Sequence, residues 1–140
     1  MIKKRLLSIC MLFILLLSFS ACKSDGQENN SNDTIISSSA TILGKGEKNF
    51  IFTVVDTDGN EEVFSIFTDK KTVGDALKEH KLIDGEEGQF GLYVKTVNSI
   101  SYDYDKDGKY WAFYVDGEYA STGVDKTEIK NGCSYMFKAD

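Results

Sequence analysis

Apolar and polar residues alternate from Phe50 to Val55 and again from Val63 to Phe67, in runs rich in aromatic and β-branched side chains. Alternation with a period of two marks a half-buried strand. Between the runs stand Asp56, Thr57, Asp58, Gly59 and Asn60, residue types that turn a chain back on itself, so the pair predicts a β-hairpin. The period then changes. Val73, Ala76, Leu77 and His80 fall at helical spacing and put one apolar stripe on a helix of two to three turns. Thr72 stands where an N-cap belongs, with Asp75 three residues on as a variant of the capping box. The polar, glycine-marked run from Asp84 to Gly88 predicts a loop.

Alternation returns over Phe90 to Val97 and Ile100 to Tyr104, with a tight turn at Asn98 and Ser99 between them. Asp105 to Lys109 reads as a turn and Tyr110 to Val115 as a central strand. Asp116 and Gly117 make a hairpin signal, and Glu118 to Ala120 a brief return. Asp125 to Lys130 predicts a turn or short helical piece, Asn131 and Gly132 a turn, and Cys133 to Lys138 the closing strand. The order is strand, strand, helix, then three or four strands. A single helix across one face of a mixed sheet buries such a pattern economically. The fold class is therefore α+β and β-grasp-like, in ββαβββ order.

Residues 1–21 follow a different grammar. Lys3, Lys4 and Arg5 are followed by an apolar run from Leu6 to Leu17 and small residues from Ser18 to Ala21, the build of a secretory signal peptide. The run is shorter than the roughly 20 apolar residues a bilayer span asks for. Phe19, Ser20, Ala21 and Cys22 resemble a bacterial lipobox, in which the cysteine becomes the first mature residue and carries diacylglycerol and often an N-acyl chain. That predicts lipidation at Cys22 and a lipid-anchored protein on the extracytoplasmic face of the cell membrane. At about 0.8 kcal/mol per buried methylene, two or three acyl chains hold firmly. From Lys23 to Thr41, eight of nineteen residues are Ser or Asn; such a stretch buries too little to offset its ordering entropy and reads as a disordered tether. The expected division is a signal peptide at 1–21, lipidated cysteine and linker at 22–46, and one domain at 47–140.

Charge removes one class of partner. Loss of residues 1–21 would leave 13 basic against 22 acidic residues, about −9, a poor match for nucleic acid. Cysteine use is equally spare. Cys10 leaves with the signal and Cys22 carries lipid, so Cys133 stands alone and reads as a strand cysteine rather than half of a disulfide. No oligomeric state is specified by these features.

Three chemical candidates remain. Asp103, Asp105, Asp107 and Gly108 match the opening of a calcium loop, but the twelfth position holds Tyr114 where a bidentate carboxylate is needed. A solvated acidic turn fits better. His80 is the only histidine, with no second ligand at metal spacing, and no serine stands in a nucleophile-elbow context. Neither catalysis nor a metal is expected. The aromatic cluster of Tyr102, Tyr104, Tyr110, Trp111, Phe113, Tyr114 and Tyr119 is the third candidate. It is either core and cross-strand packing or a shallow platform for a flat organic ligand or a partner surface.

TVGDALKEHKL at Thr72 to Leu82, GLYVKTVNSI at Gly91 to Ile100, YWAFYVDGEYA at Tyr110 to Ala120 and GVDKTEIKNGCSYMF at Gly123 to Phe137 together resemble the DUF4430 family. That family is similar to the C-terminal domain of the cobalamin carriers transcobalamin and intrinsic factor, a β-rich cap over one face of a corrinoid. The resemblance implies a ligand surface formed by Tyr110, Trp111, Phe113 and Tyr114 on the strand and by Thr122, Gly123 and Val124 at the corner after it. It also implies cobalamin as a ligand, bound with a second protein, because the helical domain of the carriers is absent here. The alternative is a surface module that binds protein or polysaccharide and takes no small molecule.

Overall fold

The computed structural model describes Ala40 to Asp140; the expected signal peptide, Cys22 and most of the tether lie outside these residues. Nine strands and two short helices follow in order: β1 (Thr41–Gly44), β2 (Lys48–Val55), β3 (Glu61–Thr68), α1 (Val73–Glu79), β4 (Ile83–Gly88), β5 (Gly91–Val97), β6 (Ile100–Ser101), α2 (Tyr104–Asp107), β7 (Trp111–Val115), β8 (Glu118–Tyr119) and β9 (Ser134–Ala139). Six of the strands form one sheet in the order β1-β3-β2-β9-β7-β8, and β4-β5-β6 form a second. β2 and β3 are the antiparallel hairpin, while β9 enters parallel to β2 and antiparallel to β7. A first hairpin, a crossing helix and a last strand inserted parallel to the first is the β-grasp arrangement, so the α+β expectation holds.

The alternation in the sequence decides what is buried. Phe50, Phe52 and Val54 of β2 face inward with Phe64 and Ile66 of β3, Tyr135 and Phe137 of β9, and Trp111 and Phe113 of β7. Val73, Ala76 and Leu77 of α1 and Val94 and Val97 of β5 close the same core from the other side. The Phe50 and Tyr135 rings meet edge to face at 5.2 Å, a favoured aromatic geometry. The Tyr135 hydroxyl donates to the Glu128 carbonyl at 3.3 Å and accepts from the Lys130 amide at 3.1 Å, which satisfies it inside the core. Helix α1 begins as expected, with Thr72 Oγ1 accepting from the Asp75 amide at 3.2 Å. It ends at His80, whose ring packs against the close turn at Gly44.

Four features depart from the sequence reading. Thr41–Gly44 is a strand, ahead of the expected domain start at residue 47, because β3 offers it a parallel edge. Asp84–Gly88, expected as a loop, pairs along β5. Its strand character comes from that partner and from the Glu86–Lys95 ion pair at 2.9 Å, not from an apolar pattern of its own. At Gly85, beside a bulge in that ladder, an added Cβ would strike the Tyr93 carbonyl. The turn expected at Asp105–Lys109 contains α2, which also takes Tyr104 out of the strand before it. Asp103 Oδ1 caps α2 by accepting from the Asp105 amide at 3.1 Å, and Gly108 ends it at φ 63°. Six strands therefore follow α1 rather than three or four.

Candidate functional site

β7 supplies the site because its two faces meet different surroundings. Trp111 is 6% exposed; its Nε1 donates to the Ile100 carbonyl at 3.3 Å and its ring lies 5.1 Å from that of Tyr102. Phe113 rests on Phe137 with ring centroids 5.0 Å apart. Their outer edges form the floor of a cleft of about 330 Å³. Leu92 and Val94 of β5 make one wall, and Ala120 to Val124, in the loop after β8, make the other. Phe90, at the turn between β4 and β5, stands at the lip with 83% of its surface exposed.

Five of the seven residues expected to face a ligand share this cleft: Trp111, Phe113, Thr122, Gly123 and Val124. Tyr110 and Tyr114 do not. Strand geometry turns them to the opposite face, flanking the buried Ala112. There Tyr114 meets Tyr119 edge to face at 5.5 Å and its hydroxyl donates to Asp140 Oδ2 at 3.5 Å. Tyr110 stands 6.2 Å from Tyr104. Partial burial raises the Tyr110 phenol above its ordinary value, and the neighbouring Tyr119 and Asp140 add to the effect.

The two walls approach each other closely at Asp125. Gly91, at φ 114°, comes so close that a Cβ there would lie 2.8 Å from Asp125 Oδ2. One on Gly123 would lie 2.7 Å from Oδ1, and one on Gly74 would lie 2.8 Å from the Asp125 Cα. Next to it, Lys126 Nζ donates to the Phe90 carbonyl at 3.3 Å and fixes the hairpin tip. The loop is also joined to the start of α1, where Gly74 N donates to the Val124 carbonyl and Val73 N to that of Thr127, each at 2.9 Å. The Asp125 Oδ1 atom is buried without a protein donor.

The remaining candidates have structural partners. Partial burial opposes the charged form of Asp103, but the Asp105 amide and the Lys95 and Lys106 ammonium groups outweigh it and hold this carboxyl below its usual range. Asp107 Oδ2 accepts from the Asp103 amide at 2.9 Å, so both carboxylates serve their own turn. Among the described residues, no three His, Cys, Asp or Glu side chains come together as a metal set. The cleft is lined mainly by apolar and aromatic residues, with Ser121 and Thr122 as hydroxyl-bearing residues of its loop wall. Such a lining can desolvate a flat apolar surface and orient it with a few hydrogen bonds. Cys133 is free; burial raises its thiol, reinforced by a hydrogen bond to Asp116.

Sequence reasoning missed the wall from β5 and the Phe90 lip. A signal for Phe90 exists: the ring lies between Gln89 and Gly91 at a polar hairpin tip, where its own strands cannot cover it.

Residues 70–139 match the family model DUF4430, described as a domain of unknown function. A candidate metal-binding protein from Ruminococcus gnavus ATCC 29149, known from its crystal structure, superposes with a TM-score of 0.64 and 33% identity, over 67% of this chain and 97% of that one. Haptocorrin in complex with Cbi superposes with a TM-score of 0.51 and 17% identity, over 75% of this chain. This likeness is one of fold, and the match covers 28% of the haptocorrin chain. A search of curated proteins finds no match. Among the described residues, no helix is long and apolar enough to cross a membrane.

Proposed function

This chain belongs to the DUF4430 family, and from that premise we propose that it is a non-enzymatic ligand-binding domain, held on the extracytoplasmic face of the cell membrane by lipid on Cys22. Its ligand is a flat molecule of the corrinoid class, cobalamin included, one side of which rests in the cleft. The observation that carries this reading is the aromatic floor of Trp111 and Phe113 beneath a phenyl ring, Phe90, that is 83% exposed. Covering such a ring recovers about 1.5–3 kcal/mol of hydrophobic free energy. The fold shared with haptocorrin, which was crystallised with Cbi, supports the choice of ligand class.

Size defines what the cleft can do alone. At about 330 Å³ it is at the lower end of the roughly 300–1,000 Å³ range of pockets that enclose a small molecule. A corrinoid would lie across it rather than within it, and a second protein would cover the other side. Half a site gives weak binding, since ordering and association costs are met by fewer contacts. A metal cargo has less support, because the described residues bring no ligand set together.

Titration of the full chain in detergent with cobalamin tests the proposal. Trp111, the only tryptophan, reports through its fluorescence after correction for ligand absorption, and calorimetry gives an independent affinity. Saturable quenching is expected, with Phe90→Ala weakening binding by about tenfold or more. An unchanged signal at millimolar cobalamin overturns the reading.

A further inference from the structure

Beyond the cleft, a second concavity of about 520 Å³ opens between β5, α2 and the start of β7. Three tyrosines line it: Tyr93, 42% exposed, Tyr104, 60% exposed, and Tyr110. The Tyr104 and Tyr110 rings stand at 70° to each other, so they form a corner with faces in two directions. Between the rings are three carboxylates, Glu86, Asp103 and Asp105, and one ammonium, Lys95. Lys95 Nζ donates to Glu86 Oε1 at 2.9 Å and pairs with Asp103 Oδ2 at 3.5 Å, while its stem passes Tyr93 with Nζ 5.8 Å from the ring centroid. The hydrogen bond to Glu86 raises the Lys95 pKa and keeps the group charged.

We propose that this groove is a second binding site, for a neutral saccharide chain of hexose or N-acetylhexosamine units. Charge selects the class. An anionic ligand meets three carboxylates; a cationic one meets Lys95, already seated where a cation would go, and Lys106, 3.7 Å from Asp103. A neutral polyol uses both kinds of group, because each hydroxyl donates to a carboxylate and accepts from an ammonium. Its apolar C–H faces lie on the tyrosine rings, whose hydroxyls remain wet. A protein partner fits less well: the centre of a protein interface is depleted of charge, whereas four of the seven residues lining this groove are charged. Tyr93 forms a wall common to groove and cleft, but Tyr104 belongs to the groove alone and Phe90 to the cleft alone. The saccharide site therefore stands or falls separately from the corrinoid reading.

Calorimetry on the full chain with maltohexaose, cellohexaose and chitohexaose tests it, with a fully deacetylated chitosan hexamer and an oligogalacturonate as cationic and anionic arms. Saturable binding of at least one neutral oligomer is expected, with weaker or no binding of both charged ones. Tyr104→Ala should weaken that binding by about tenfold, Tyr104→Phe should retain most of it, and Phe90→Ala should leave it unchanged. Four results would each overturn the proposal: silence from all three neutral oligomers, a preference for either charged oligomer, binding indifferent to Tyr104→Ala, or a Tyr104-dependent protein contact without saccharide binding.

Discussion

Substituting alanine for Gly91 strikes the joint on which the cleft depends. Two costs add. The backbone there sits at φ 114°, a conformation suited to glycine, and imposing it on an L side chain costs about 1–3 kcal/mol. The new Cβ also meets Asp125 Oδ2 at 2.8 Å and Oδ1 at 2.9 Å. The carboxylate has little room to retreat, because Gly123 approaches Oδ1 and Gly74 packs against the Asp125 backbone, so the collision adds a further one to two kcal/mol or so. The expected total is on the order of 2–4 kcal/mol, or roughly 10–20 °C in Tm for a domain of this size. Urea unfolding of the full chain, followed by circular dichroism and by Trp111 emission, measures the change. The Asp125→Ala background separates the two costs. By itself that substitution removes a buried acceptor lacking a protein donor and is expected to be nearly neutral. Gly91→Ala should be about 1 kcal/mol or more cheaper in that background, since the strain persists while the collision goes. Equal costs in the two backgrounds, or no cost in either, would refute the account. A shifted hairpin tip also carries Phe90 away from the lip, so cobalamin binding should weaken in parallel.

Three further outcomes are expected. Thr72→Ala removes the acceptor for the Asp75 amide and should destabilise the chain by about 1 kcal/mol in a thermal melt, while Thr72→Ser should cost less. Asp116 is held below the ordinary carboxylate value of 3.8, first by the Ser134 backbone amide. Because its pKa is depressed on folding, the stability it contributes is present above about pH 4 and lost as pH falls through the folded pKa. Asp116→Asn, which still suits the turn at φ 49°, should flatten the fall in urea midpoint between pH 5 and pH 3. The Cys133 thiol, raised by burial and by Asp116, should react with iodoacetamide at pH 8 more slowly than a free cysteine; peptide mapping distinguishes it from the other two cysteines, and a native rate equal to the free one would contradict the burial.

What the sequence made legible was local chemistry. Asp56 accepts from Asp58 N and Asn60 N at 2.8 and 2.9 Å and from Asn60 Nδ2 at 2.8 Å, which is why that turn announces itself between β2 and β3. Asn98 and Ser99, at φ 47° and 69°, and Asp116 with Gly117, at 49° and 84°, likewise make the tight turns their residue types imply. Features set by a distant partner were not legible. β4 has a loop's composition and is a strand only beside β5, and β1 exists through the edge of β3. The period of β7 separates Trp111 and Phe113 from Tyr110 and Tyr114, but only the second sheet decides which set is enclosed. Half of the cleft was hidden for the same reason: its β5 wall is about 20 residues away in sequence from its floor.

Strand β9 lies between β2 and β7, in the middle of the larger sheet, though it follows both of them in chain order. An emerging chain therefore holds the aromatic faces of β2 and β7 without the residues that join them, and its slowest contacts are also its most central ones. Closure must wait for Tyr135 and Phe137, whose rings join the aromatic faces of β2 and β7. Removing Ser134 to Asp140 would leave two unjoined halves rather than a slightly shorter domain.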